Sequence, residues 1–263
     1  MTKIYIIIII ISVATILLAF INKKSNPTSS LHQFKAKTID GNVIDFSTLK
    51  GKKILVTAGP TYEAIYPVRF IGNHSSGKMG YDIALCAAQL GASVLLVSGP
   101  THCKANHTGI QILPVVSAQE MYDVCHTYFS QVDVAIAAAA VADYKPKNVA
   151  SQKIKKSDAE FSIELEKTKD ILAYLGAVKN NQMLIGFALE TENEIENAKL
   201  KIQKKNLDLI VLNSLQDEGA GFQKDTNKVT FIDKNFNIQP MELKSKEAVA
   251  ADIINKVIAY FNA

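Results

Sequence analysis

Cysteine is scarce in this chain: Cys86, Cys103 and Cys125 are odd in number, lie far apart and form no CxxC pair. That argues against a disulfide framework or a zinc site and for a reducing compartment. A strong charge of one sign is also lacking. The formal net charge is +4, and no basic stripe with interleaved aromatics occurs, so small anionic molecules are expected at local lysine clusters, and no nucleic acid. The dinucleotide fingerprint is missing as well. The first strand, "ILVTAG", ends at Gly59, but Gly72, Gly77 and Gly80 come 13 or more residues later. The second strand ends in Ser98-Gly99-Pro100 instead of an acid that would hold a ribose diol, which disfavours a nicotinamide dehydrogenase. No internal repeat or low-complexity tract follows residue 22.

What is present bounds the architecture. With 263 residues, 48% hydrophobic and 21% charged, the chain can bury one full-sized core with an appendage, or two small ones. Residues 4–21, "IYIIIIIISVATILLAFI", run for 18 residues without a charge, long enough for a membrane span and long for a signal-peptide core. Lys3 precedes the run and Lys23 and Lys24 follow it, a bias toward a cytoplasmic C-terminal bulk. The expectation is a transmembrane anchor over residues 1–24 that tethers a cytoplasmic catalytic domain to the membrane. A cleaved signal is the alternative, and without the segment the rest would be plainly cytoplasmic.

Residues 25–51 form a polar linker, "SNPTSS", and a stub that alternates apolar and polar residues around Asp40-Gly41, a hairpin signal. The stretch 30–53 resembles the opening of glutathione-peroxidase-like proteins, in which the reactive thiol or selenol follows the next strand closely. Here the first cysteine is Cys86, so the likeness omits the reactive group and does not carry that activity.

From residue 52 to 263 apolar strand-like runs ("KILVTAG", "SVLLVSGP", "IQILPV", "VDVAIAAAA", "MLIGFALET", "LDLIVLN") alternate with helical ones ("MGYDIALCAAQLG", "AQEMYDVCHTYF", "ENEIENAKLKIQKK"). Nearly all-apolar strands with helix-length crossovers predict a Rossmann-like, doubly wound α/β fold. Its sheet should be mostly parallel, with helices on both faces and ligands at the carboxyl ends of the strands.

The stretch "IGNHSSGKMG" (71–80) has the Gly72-x4-Gly77-Lys78 spacing of a phosphate-gripping P-loop, but Met79 stands where a hydroxyl should bind magnesium. Twelve residues also separate it from the first strand. A P-loop is excluded, yet its physics survives: Gly77 permits close backbone approach, Ser75 or Ser76 can cap a helix, and exposed N–H groups there favour an anion. The plainer alternative is a helix cap followed by an exposed lysine.

The set "LVTAGPTYEAIYPVRFIGNHSSGKMG", "VSGPT", "AAAAVADYKP", "KIKK", "IGFALET" and "KKNLDLIVLN" resembles bacterial phosphopantothenoylcysteine synthetase, the C-terminal half of a bifunctional coenzyme A biosynthesis protein. The resemblance implies a homodimeric ligase. It would use CTP with Mg2+ to activate the carboxylate of 4′-phosphopantothenate as an acyl-cytidylate, then condense it with cysteine. By the same resemblance Asn73 is the catalytic asparagine and Arg69 an anion clamp beside it. Ser75, Ser76, Gly77 and Lys78 form the substrate loop. Ala137, Ala138 and Ala139 contact the nucleotide, with Asp143 near its ribose, phosphates or cation, and Phe187 against the base or ribose. Lys201 and Lys205 bind the triphosphate, and no metal site of the protein's own is implied. Lys153, on a flap over 151–167, serves the second half-reaction and contacts the nucleotide; in the family the flap helps to pair subunits. Asp170, Ile171 and Leu172 align with nucleotide contacts, whereas Thr168-Lys169 replaces the family's usual Asn-Pro and leaves the Lys169 contact open. Gly221, Phe222 and Asn227 match without an assigned role.

Each residue also has a plainer reading: turn residue for Asn73, tight helix–sheet packing for the alanines, core aromatic for Phe187 and solvated face for the lysines. Where the family has a flavin-dependent decarboxylase domain, this chain has the anchor-like run and the hairpin stub. Two other classes therefore stand beside the ligase: a membrane-tethered, non-catalytic nucleotide-binding module, and a thiol peroxidase.

Overall fold

The computed structural model describes residues 35–37, 43–45, 49–155, 162–214 and 224–262. The chain divides into two compact units, residues 1–46 and 47–263. In the first, Lys35–Lys37 pairs antiparallel with Val43–Asp45, as the hairpin signal requires, while the Asp40-Gly41 turn lies outside the described residues. So does the apolar run 4–21. Among the described residues no helix is long and apolar enough to cross a membrane, so the expected anchor gains no support.

The second unit is built on eight strands: β1 (Lys53–Ala58), β2 (Ser93–Ser98), β3 (Ile110–Pro114), β4 (Val134–Ala137), β5 (Met183–Glu190), β6 (Leu209–Ser214), β7 (Val229–Asp233) and β8 (Ile238–Pro240). Five helices cover it: α1 (Lys78–Gln89), α2 (Ala118–Phe129), α3 (Ile171–Val178), α4 (Glu194–Lys204) and α5 (Lys246–Asn262). The strand order is β8-β7-β6-β5-β4-β1-β2-β3. The six strands from β6 to β3 are parallel, and β7 and β8 add an antiparallel edge. This is the expected doubly wound sheet, with its switch point between β1 and β4.

Strand periodicity of two explains the layers. Ile54, Val56 and Ala58 of β1 enter a core with Ile83 and Ala84 of α1 and Val249 and Ile253 of α5. Leu55 points to the opposite core, with Met121 and Cys125 of α2, Leu175 of α3 and Ile202 of α4. Each fully buried Leu, Ile, Val or Met side chain among these contributes about 1.5–3 kcal/mol, so the two cores hold β1 fixed and with it the loop at its carboxyl end.

Two small ribbons follow the carboxyl ends of β1 and β4. Glu63–Tyr66 pairs with Arg69–Ile71, and the buried Glu63 carboxylate accepts the Ala118 N–H at 2.8 Å. An acid at the start of α2 answers the helix's exposed donors and locks the ribbon down. Tyr144–Pro146 pairs with Leu165–Lys167, the base of the expected flap; residues 156–161 at its far end lie outside the described set.

Candidate functional site

Two cavities lie side by side beyond the carboxyl ends of β1, β4 and β5. The larger, about 510 Å³, is bordered by Thr57, Ala137 and the 167–172 segment. The smaller, about 350 Å³, is bordered by the 73–80 loop, Ala138, Asn213 and Asn227. They share one wall: Ala139, Val141, Asp143, Phe187 and Lys201. This is the crevice that an open parallel sheet leaves at its switch point.

The alanine run is held open by the strand beside it. Ala139 N–H donates to Thr57 Oγ1 (3.1 Å), Ala140 N–H to the Gly59 carbonyl (2.9 Å) and Ala142 N–H to Thr61 Oγ1 (3.0 Å). Small side chains here leave backbone as cavity wall.

The 73–80 loop turns on glycine. Gly77 caps α1 at φ 81 with no side-chain cap, so the expectation of a serine cap is corrected. A Cβ at Gly77 would also sit 3.2 Å from the Gly59 backbone. The hydroxyls of Ser75 and Ser76 instead accept the N–H groups of Gly77 (3.3 Å) and Lys78 (3.4 Å), two residues on in each case. At Gly80 a Cβ would meet that of Ala58 at 2.6 Å; its absence lets α1 lie close on β1. Asn73 Oδ1 accepts the Ser75 N–H at 2.8 Å. That bond fixes the amide's orientation and leaves its NH2 as the group available to a ligand.

Every cation bordering the larger cavity from α4 is steered by an acid. Lys201 Nζ bonds Glu190 Oε1, and Lys205 Nζ bonds Asp170 Oδ2 at 2.8 Å. Asp170 also caps α3, accepting the Ala173 N–H at 2.9 Å. Burial pushes its pKa up, but the Lys205 ammonium and the α3 N–H groups outweigh this and hold it below the ordinary carboxylate value. Lys169 Nζ lies 4.5 Å above the Tyr122 ring. In the smaller cavity Lys78 bonds Asp82 at 3.0 Å, and its pKa rises because Asp82 outweighs the effect of burial.

The structure gathers most of the residues singled out from sequence. Asn73, Ser75, Ser76, Gly77, Lys78 and Ala138 border the smaller cavity. Ala137, Lys169, Asp170, Ile171, Leu172 and Lys205 border the larger, and Ala139, Asp143, Phe187 and Lys201 border both. Arg69 and Lys153 border neither. Arg69 is exposed on its ribbon, its guanidinium 5.5 Å from the Tyr66 ring, and Lys153 is exposed beyond the flap base. Sequence reasoning did not find Thr57, Tyr144, Lys167 and Thr168 in the larger cavity, nor Asn213 and Lys246 in the smaller. Asn227, matched without a role, donates to Asn213 Oδ1 at 3.0 Å.

Cys86 and Cys125 offer little thiolate. Burial pushes the Cys86 thiol up to about 11 and the Cys125 thiol up to about 12, opposite to what a peroxidatic nucleophile needs. Cys103 Sγ donates to the Ser76 carbonyl at 3.3 Å. Among the described residues no group of three or more His, Cys, Asp or Glu could hold a metal.

Comparison with known proteins agrees with this geometry. The model of the DNA/pantothenate metabolism flavoprotein C-terminal domain matches residues 49–261. A protein named cysteine/cysteine sulfinic acid decarboxylase, from an unknown prokaryotic organism, is 51% identical over 211 residues, covering 80% of this chain and 59% of that protein. The coenzyme A biosynthesis bifunctional protein CoaBC of Bacillus subtilis is 44% identical over 211 residues, 80% of this chain and 52% of that protein. The crystal structure of the C-terminal domain of a CoaBC protein superposes with a TM-score of 0.70 at 42% identity, covering 82% of this chain and 98% of that one. The chain thus spans little more than half the length of these curated relatives. From the β1 strand to α5, it belongs to the DNA/pantothenate metabolism flavoprotein C-terminal domain family.

Proposed function

We propose that the chain is a CTP-dependent ligase that joins 4′-phosphopantothenate to cysteine through an acyl-cytidylate, in coenzyme A biosynthesis. The observation that carries this reading is the shared wall between the two cavities. It lets two anionic substrates lie with their reacting ends together, as attack of a carboxylate on an α-phosphate demands.

In the first half-reaction a carboxylate oxygen of the acid attacks the α-phosphorus of CTP, and pyrophosphate leaves. The Asn73 NH2 holds the carboxylate, and later the acyl-cytidylate carbonyl, without adding charge. Lys201 and Lys205 stabilise the triphosphate and the departing pyrophosphate. Asp143 on the shared wall would steady the shell of a Mg2+ ion brought in on CTP, which would supply charge neutralisation of phosphate oxygens and is held mainly by phosphates and water. In the second half-reaction the cysteine amine attacks the carbonyl carbon and CMP leaves, with the amine proton passing to solvent. Lys153 assists this step. Because Lys153 and Arg69 border neither cavity of their own chain, we assign them to the site of a second subunit in a homodimer. Family membership and a CoaBC-domain likeness at 42% identity support the ligase reading.

Incubating the full-length chain with CTP, Mg2+ and 4′-phosphopantothenate should release pyrophosphate, with the amide product formed only when cysteine is added. CTP binding without pyrophosphate release would sink the ligase and favour a binding module.

A further inference from the structure

The base of the flap is a two-stranded ribbon whose faces differ. Tyr144 stands opposite Lys167, and Lys145 opposite Glu166. Side chains alternate between faces along a strand. Lys145 and Glu166 neutralise each other on one face, Nζ to Oε1 at 3.2 Å, while Tyr144 and Lys167 take the other and border the larger cavity. The segment after Lys167 is pinned to the cavity wall. Thr168 N–H donates to the Asp143 carbonyl at 3.0 Å, and its hydroxyl to the Ala142 carbonyl at 2.7 Å. Lys167 is therefore held three residues before Asp170, the cap of α3, at a helix end that favours negative charge.

The four lysines that border this cavity are not equivalent. Lys201 and Lys205 are each bonded to an acid, and Lys169 lies over the Tyr122 ring. Among the described residues Lys167 has neither an acid nor a ring as partner. A triphosphate brings roughly four negative charges and a monophosphate about two. The two ion pairs are neutral as they stand, so the surplus falls to the accompanying Mg2+ and to cations without an acid of their own. We propose that Lys167 is a further nucleotide-binding residue: its ammonium takes the terminal phosphates and makes the larger cavity select a nucleoside triphosphate over its monophosphate. This rests on the ligase reading, which places the nucleotide in this cavity, and it gives the flap base a direct part in holding the pyrophosphate that departs.

Titration calorimetry on the full-length chain, with CTP and CMP as probes in Mg2+ buffer, tests this. Lys167→Gln should lose about tenfold in CTP affinity while CMP affinity stays within about twofold of native. Lys167→Arg, which keeps the charge, should recover most of the loss. Lys167 is exposed on its ribbon, so neither change disturbs a core, and CMP binding reports an intact site. A glutamine variant that weakens CTP and CMP equally, or weakens neither, overturns the assignment, as does an arginine variant no better than the glutamine one. Pyrophosphate release separates the two readings. A CTP-specific loss in a chain that releases no pyrophosphate keeps the lysine and sinks the ligase. Turnover with equal CTP affinity in native and variant chains does the reverse, and a native chain that binds no CTP removes both.

Discussion

Lys205 closes on Asp170 at 2.8 Å, joining the end of α4 to the first turn of α3 across the floor of the larger cavity. The pair is half open to water, so its structural worth is at most about 1 kcal/mol. Its value lies in aiming an ammonium at a phosphate. Lys205→Gln should therefore raise KM for CTP about tenfold, with the melting temperature moved by only a few degrees.

The same pair sets a pH dependence. Asp170 has a folded pKa below the 3.8 ordinary for an aspartate, so its stabilisation is full above that value and is lost as pH falls through the lower folded value. The stability difference between the native chain and Lys205→Gln should stay constant from neutrality to about pH 4 and shrink in more acidic buffer, as denaturant melts would report.

Asn73→Asp offers a cleaner cut. An aspartate can still accept the Ser75 N–H, so the turn survives, but it loses the NH2 donor and adds a negative charge beside an anion. The pyrophosphate burst should fall by about a hundredfold or more with an unchanged far-UV spectrum. A burst within a few fold of native would remove Asn73 from the chemistry.

Lys153→Gln should let the acyl-cytidylate accumulate, visible by mass spectrometry after acid quench. If Lys153 serves the neighbouring subunit, mixing Asn73→Asp and Lys153→Gln subunits should restore about a quarter of native turnover, from the one intact site of each hybrid dimer. No restoration would place the lysine in its own chain's site.

Gly80→Ala tests the seat of the site. With Ala58 Cβ 2.6 Å from the added methyl, α1 must shift off β1, at a cost of about 1–3 kcal/mol in a denaturant melt. CTP and acid affinities should fall together, because both cavities border loops that α1 and β1 fix.

The sheet was legible in the sequence because buried parallel strands must be apolar and evenly spaced, and "KILVTA", "SVLLVS" and "VAIA" satisfy that locally. The edge strand β8 was not, because "IQP" carries no apolar period and gains its place only from pairing with Thr230–Ile232. Residues in dense motifs, Asn73 to Lys78 and Ala137 to Asp143, could be found by resemblance. Thr57 and Lys246 could not. A threonine at a strand end and a lysine opening an amphipathic helix are ordinary locally, and they acquire meaning only when β1 meets β4 and α5 meets α1. The serine cap failed for a related reason: hydroxyls within reach of a helix start fit the capping pattern, but the approach of Gly59 demands glycine at the cap.

Packing α5 against α1 has a consequence for how the molecule comes to life. The crevice draws on residues from Thr57 to Lys246, so a growing chain halted within β7 would hold most of its sheet and still lack one wall of its smaller chamber. The larger chamber, whose lining ends at Lys205, is made before that point, whereas the smaller gains Lys246 only when α5 packs on α1.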